Sequence, residues 1–325
     1  MRLRLPLVAF LLLGLVAASC SDDSESGPNP YLNLVGSSRF VSTNRVLSGA
    51  GDTLSTRLYT AVADTNSATD QLQRLRITVA YTPGKNPVVY TPTYDPTTYG
   101  NNTEELVFLD SLLSTTKPKQ QLAFQFTFNA RTTSGRELWK FESEDNQQRT
   151  ASRSYRLTLR NGDSALVYHR YTARLQAPRA ISSRSFLALL PGLTLPKFTI
   201  RNNPGAQQLV DLIYQPTAAG EPALSSPDSS VLKLRGAKWN VKRTTQLRLA
   251  SVGDSASFGG ANNIAAFTAI FNRGTLPLAP TTTGPLRRRQ LIAFLTQDNK
   301  YGLIQVENIR TTPVPTLDLQ IRIAK

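Results

Sequence analysis

Leu122-Ala-Phe-Gln-Phe-Thr-Phe-Asn129 carries Leu122, Phe124, Phe126 and Phe128 at every second position, with small or polar residues between them. Successive side chains of a β-strand point to opposite faces, so this spacing puts four large apolar groups on one face and leaves the other to water. The same period recurs in residues 52–62, where Leu54, Leu58, Thr60 and Val62 share a face, and again in residues 72–81 and 155–159. Clusters of Gly, Pro, Asn and Asp separate these runs, and amphipathic helical spacing is almost missing. Short strands with such punctuation predict antiparallel β-sandwich architecture rather than a parallel α/β sheet.

Residues 135–155, Gly135-Arg-Glu-Leu-Trp139-Lys-Phe141-Glu-Ser-Glu-Asp145 followed by Asn-Gln-Gln-Arg-Thr-Ala-Ser-Arg-Ser-Tyr155, sharpen this reading. They resemble the last hairpin of bacterial immunoglobulin-like domains, in which a strand, an acidic polar turn and a final strand close the sandwich. The resemblance implies an immunoglobulin-like fold without the antibody disulfide, because the chain has a single Cys. Trp139 and Phe141 read as inward core residues, the usual place of strand aromatics.

Charge divides the chain near Asn161-Gly162-Asp163. Residues 31–165 hold 15 Lys and Arg against 12 Asp and Glu (+3), whereas residues 166–325 hold 20 against 7 (+13). In the basic half, residues 209–214, 239–241, 246–249, 290–295, 301–306 and 316–323 read as strands, with Asp298-Asn299-Lys300 as a hairpin turn. Asn262-Asn263 ahead of Ile264, Phe267 and Phe271 predicts one short capped helix. The expected fold is mainly β: two consecutive antiparallel β-sandwich-like domains, the second with a short helix. Leu209-Val-Asp211-Leu-Ile-Tyr214 and the run from Ile292 to Val306 resemble the C-terminal regions of cell-surface lipoproteins of the Bacteroidota, a resemblance that carries no activity with it.

The chain begins with an address. Arg2 and Arg4 precede an apolar run from Leu5 to Val16, and Ala17-Ala18-Ser19 lead into Cys20, the pattern of a secretory signal. The run is about a dozen residues, short of the ~20 that cross a bilayer. Small residues directly before the lone Cys resemble the lipobox of bacterial lipoproteins, with Ala17 where that motif usually has Leu. The resemblance implies cleavage after Ser19 and acylation of Cys20 by diacylglycerol and palmitate-type chains, each CH₂ contributing ~0.8 kcal/mol of membrane affinity. Ser21, Asp22 and Asp23, followed by Ser24 and Glu25, resemble the short acidic signal that exports Bacteroidota lipoproteins to the cell surface. The expected organisation is therefore a lipoprotein signal peptide (1–19), a lipidated Cys with a flexible tether (20–34), an immunoglobulin-like β-sandwich (35–161) and a basic, mostly β domain (162–325). The expected location is the outer membrane, facing outward.

Little in the chain reads as chemistry. One Cys and one His exclude a Cys-rich zinc site and any two-histidine centre. Neither a Gly-x-Ser-x-Gly elbow nor a phosphate-binding Gly loop is present, and nothing calls for a cofactor. His169, within Leu-Val-Tyr-His-Arg-Tyr, reads as a surface or edge strand residue without a catalytic partner. Asp64, Asn66 and Asp70 place oxygens in one loop that could hold calcium, but the loop lacks the Gly and terminal Glu of an EF-hand and equally fits an Asx-rich turn. Asp followed by Ser or Thr and then a small or aliphatic residue, at Thr53, Ser111, Ser164 and Ser255, resembles the O-glycosylation sequon of exported Bacteroidota proteins. Arg287, Arg288 and Arg289 form a compact basic run suited to a polyanion, although dispersed positive charge also serves solubility. No helix-turn-helix or related module points to specific nucleic-acid recognition. These observations predict a non-catalytic, lipid-anchored module that binds a glycan, an acidic polysaccharide, matrix or a protein partner. The alternative is a polysaccharide hydrolase whose carboxylates come together from separated loops.

Overall fold

The computed structural model of the chain describes residues 27–49, 51–84, 103–113, 119–160, 165–234, 238–250, 255–277 and 279–325. The signal peptide, Cys20, the acidic address of Ser21, Asp22 and Asp23, the sequon at Ser164 and the charge boundary at 161–163 lie outside the described residues.

Eight strands build the first half: β1 (Tyr31–Leu34), β2 (Arg45–Leu47), β3 (Thr53–Ala61), β4 (Leu72–Pro83), β5 (Glu104–Leu112), β6 (Gln121–Asn129), β7 (Gly135–Asp145) and β8 (Thr150–Leu159). They form two sheets, β1-β3-β6 and β2-β8-β7-β4-β5. All pairings are antiparallel except β2 on β8. Period two does what the sequence requires. Leu32, Leu58, Phe126 and Phe128 from the smaller sheet meet Ile77, Val79, Trp139, Phe141, Tyr155 and Leu157 from the larger. Trp139 centres this core, its ring 4.3 Å from Phe128 and 5.2 Å from Phe108, offset geometries that aromatic pairs favour. Tyr31–Leu34 is an ordered strand with Leu32 buried, so the 20–34 tether expected from sequence ends before Tyr31.

The second half contributes β9 (Tyr168–Gln176), β10 (Arg184–Ala188), β11 (Leu193–Pro196), α1 (Lys197–Ile200), α2 (Pro204–Gln207), β12 (Leu212–Tyr214), β13 (Leu224–Ser225), β14 (Gln246–Leu249), α3 (Ser255–Gly260), α4 (Ile264–Arg273), β15 (Leu291–Leu295), β16 (Tyr301–Arg310) and β17 (Thr316–Ala324). A five-stranded sheet β14-β15-β16-β17-β9 packs on a four-stranded sheet β11-β10-β12-β13. Leu187, Leu212, Tyr214 and Leu224 of the smaller sheet face Ile292, Phe294, Ile304, Val306 and Ile321 of the larger. α4 is capped by the Asn263 side chain, which accepts from the Ala266 N–H at 2.8 Å. It lays Phe267, Ile270 and Phe271 on the larger sheet's other face, against Leu291, Ala293 and Leu303. Residues 239–241 form no strand. Trp239 is instead a buried plug 5.8 Å from the ring of Phe186, with its indole N–H donating to the Val241 carbonyl.

The four-stranded sheet has two apolar faces. Phe186, Ala188, Leu193, Leu195 and Ile213 alternate away from the second core and join the first, together with Ile200 and Val210. The two halves are thus sandwiches that share a layer. α1 and α2 complete the junction over the edge strand β5: Thr199 donates to the Phe108 carbonyl at 2.6 Å and Asn203 to the Val107 carbonyl at 2.7 Å. These bonds use backbone oxygens that a sheet edge would otherwise leave open.

Candidate functional site

In the β1-β3-β6 sheet, inward alternation leaves Tyr31, Asn33, Arg57, Tyr59, Gln121, Ala123 and Gln125 on the outer face. The register sets Tyr59 opposite both Asn33 and Ala123, and Arg57 opposite Gln125. Tyr31 is 51% exposed, and its ring lies 6.1 Å from that of Tyr59. Tyr59 donates its hydroxyl hydrogen to Gln121 Oε1 at 2.8 Å. Arg57 donates through Nε and Nη2 to Gln125 Oε1, and its guanidinium lies 4.6 Å from the centre of the Phe40 ring. Short Ala123 leaves space between the tyrosines and the amides. The result is an open surface of two aromatic rings tilted 58° to each other and bordered by amide and guanidinium groups. An aromatic ring is an apolar surface with a polar edge. Such a surface suits the C–H face of a pyranose, while the neighbouring amides suit its hydroxyls.

The buried carboxylates among the described residues, Asp70, Glu137, Asp145 and Asp211, are each held by an arginine. Arg149 bridges Asp145 at 2.7 Å and Asp70 at 3.1 Å; Arg131 holds Glu137 at 2.7 Å; Arg243 holds Asp211 at 2.8 Å and also reaches Asp298. On the surface, Arg74 grips Asp110 through both carboxylate oxygens, which keeps that carboxyl below its usual range. Burial pushes Asp211 upward, opposed by Arg243 and by the Leu189 N–H that donates to it at 2.7 Å. Among the described residues no three His, Cys, Asp or Glu side chains gather as a metal site would require.

The loop at 64–70 is an Asx turn: the Asn66 N–H donates to Asp64 Oδ1 at 2.9 Å, and Asp70 points to Arg149 and Gln147. Asp70 therefore faces a guanidinium, which removes one oxygen ligand from the calcium reading. His169 is buried in β9 rather than exposed, on the face shared by Tyr171 and Ala173. Burial, then the nearby charges of Lys325 and Lys300, lower its pKa to about 4.

The sequons scatter. Thr53 is exposed at the first position of β3 and Ser111 is half-buried near the end of edge strand β5, beside the Asp110 that Arg74 holds. Ser255 opens helix α3. Arg287, Arg288 and Arg289 are all exposed on the turn before β15, and Arg288 donates to the Glu307 carbonyl. A cavity of about 10 Å³ lies where Phe108, Trp139, Asn129 and Arg131 meet Leu193, Thr194 and Leu195, room for about one water. The tyrosine pair is not legible in the sequence, because Tyr31 falls within the expected tether (20–34). The alternation of residues 52–62 did place Tyr59 on the face opposite Leu58.

No family model and no curated protein matches the chain. Among solved structures it is similar to a DUF4466 family protein from Parabacteroides merdae, at 10% identity and a TM-score of 0.36, over 91% of this chain and 99% of that one. It is also similar to superoxide reductase (neelaredoxin) from Ignicoccus hospitalis, at 7% identity and a TM-score of 0.23, over 41% of this chain and 80% of that one. A third is the sporulation control protein Spo0M from Bacillus subtilis, at 11% identity and a TM-score of 0.24, over 61% and 78% of the two chains.

Proposed function

We propose that the chain is a non-catalytic, lipid-anchored surface protein of the Bacteroidota type that binds glycan on the outer face of its N-terminal sandwich. The observation that carries this reading is exposed Tyr31 beside half-buried Tyr59 on the outer face of the three-stranded sheet, flanked by Arg57, Gln121 and Gln125, a face that no other element among the described residues covers. The arrangement of the first half resembles an immunoglobulin-like sandwich: β4, β7 and β8 stand as a C-F-G trio, with β1, β3 and β6 opposite. The engagement of the buried carboxylates by arginines favours binding over hydrolysis, since a glycosidase keeps two carboxyls facing its substrate roughly 5–9.5 Å apart. Acylation at Cys20 supplies the anchor, and the chain up to Tyr31 the stalk.

The experiment combines both parts of the reading. Full-length protein is expected to take up labelled palmitate and to be retained on a neutral-glycan array, while Cys20→Ala loses the label. Tyr31→Ala with Tyr59→Ala should abolish retention while far-UV circular dichroism stays unchanged. Equal retention of this double variant and wild type would falsify the platform reading.

A further inference from the structure

We infer that the open half of the β14-β15-β16-β17-β9 sheet is a second, electrostatic binding surface for an acidic polysaccharide. The surface is distinct from the tyrosine platform and does not rest on it.

The register draws the surface. On the sheet face turned from the shared layer, successive cross-strand rows are Arg170 with Arg322 and Leu303; Thr172 with Gln320 and Gln305; Arg174 with Asp318 and Asn308; and Gln176 with Thr316 and Arg310. The helices cover Leu303 and Arg322 of the first row. Arg322 is buried beneath Phe258, 4.5 Å from its ring, and donates to the Gly259 and Ala261 carbonyls. Arg170, at the edge-strand end of that row, is exposed, as are Thr172, Arg174 and Arg310 of the later rows, while Gln305 is buried.

The Arg287, Arg288 and Arg289 turn lies on the same flank. The Arg289 N–H donates to the Val306 carbonyl at 2.7 Å and Arg288 Nε to the Glu307 carbonyl at 3.1 Å, both on β16. With strands about 4.8 Å apart, the basic groups run from Arg174 on the edge strand to this turn across roughly 15 Å. Six arginines, at 170, 174, 287, 288, 289 and 310, therefore share one region with two carboxylates, Asp318 and Glu307. Arg174 and Arg310 converge on Asp318, at 2.5 and 3.4 Å. Among the described residues, Arg170, Arg287, Arg288 and Arg289 form no ion pair.

The occupant follows from the side chains. Guanidinium forks match carboxylate and sulfate geometry, as Asp318 already demonstrates in place. Between the cations lie Thr172, Gln176, Asn308 and Gln320, amide and hydroxyl groups suited to sugar hydroxyls. A single nucleic-acid strand would instead want exposed aromatic rings for stacking, and the rows just described contain none.

The test measures binding of the full-length chain, in mild detergent, to polygalacturonate, dextran sulfate, neutral dextran and a duplex DNA oligonucleotide. The expected result is binding to the two acidic polymers, lost as NaCl rises from about 0.05 to about 0.5 M. Arg170→Gln combined with Arg287→Gln, Arg288→Gln and Arg289→Gln should weaken that binding roughly ten-fold or more, because charge removed from an exposed interface lowers encounter and retention together. None of these four arginines holds a carboxylate, so the melting temperature should stay put. Tyr31→Ala with Tyr59→Ala should leave acidic-polymer binding intact. Wild-type affinity in the arginine variant, loss of binding in the tyrosine variant, or equally tight binding of neutral dextran or duplex DNA would each overturn the inference.

Discussion

His169 shows how far burial can push one side chain. It sits inward on β9, opposite Ile323, with the cations Lys325 and Lys300 near enough to oppose its protonation. Its folded pKa of about 4 lies below the unfolded value of about 6.5, so the unfolded chain binds the extra proton between these pH values. Stability from this group is therefore complete above pH 6.5 and is lost as pH falls toward 4, a loss of about 2 kcal/mol after allowance for partial solvent screening. The aspartate that Arg74 holds loses its contribution only at lower pH, as its depressed carboxyl is protonated. Urea midpoints followed from pH 7 to pH 4.5 should fall in wild type and fall less in His169→Leu; parallel curves would show that His169 does not titrate in this window. The sequence marked His169 as a strand residue and could not show that the strand's inner face would bury it. Exposure depends on the partner sheet, which local periodicity does not contain.

At the scale of elements, legibility followed burial. Strands with one wet face announced themselves: β3, β4, β6 and β8 each lie over or within a run read from alternation. β10 and β11 did not, because every residue of both is buried and a strand covered on both faces carries no alternating pattern. The unbroken apolar run from Phe186 to Leu190, through and just beyond β10, is the signature of the shared layer. The β15–β16 hairpin was legible from Asp298-Asn299-Lys300, where Asn299 takes a positive φ of 58° and its N–H donates to the Thr296 carbonyl. Its tight spot is Gly302, opposite Phe294. A Cβ there would lie 2.2 Å from Phe294 Cζ and 2.4 Å from the Arg322 carbonyl oxygen, and the second contact is backbone that cannot swing away. Gly302→Ala should therefore cost about 1–3 kcal/mol through overpacking, with Phe294 driven from its rotamer. A thermal melt checks this, and an unchanged midpoint would mean the hairpin can open at that point without cost.

At the scale of the molecule, the shared four-stranded sheet determines how the protein comes apart. The charge step near residue 162 marks a change of surface between two consecutive sandwiches, and the core runs across it. Phe186, Leu193, Leu195 and Ile213 lie in one cluster with Phe108, Phe128 and Trp139, while alternate residues of the same strands, Leu187 and Leu212, lie in the other. Opening either sandwich would strip one face of that sheet, exposing side chains each worth roughly 1.5–3 kcal/mol of burial. Arg184 would lose Asn129, its acceptor at 3.0 Å, and Thr132 would lose the Pro191 carbonyl. The expected consequence is one cooperative transition. Calorimetric and van't Hoff enthalpies should agree, and the two tryptophans, Trp139 in β7 and Trp239 beside Phe186, should report the same midpoint in single-tryptophan variants. A fragment ending at residue 161 would leave β5 without α1 and α2 and the first core without its floor, so it should bind hydrophobic dye and lose near-ultraviolet dichroism. Two resolved transitions, or a fragment with native dichroism, would show instead that the shared layer belongs thermodynamically to one sandwich, with the other docking as a separate folding unit.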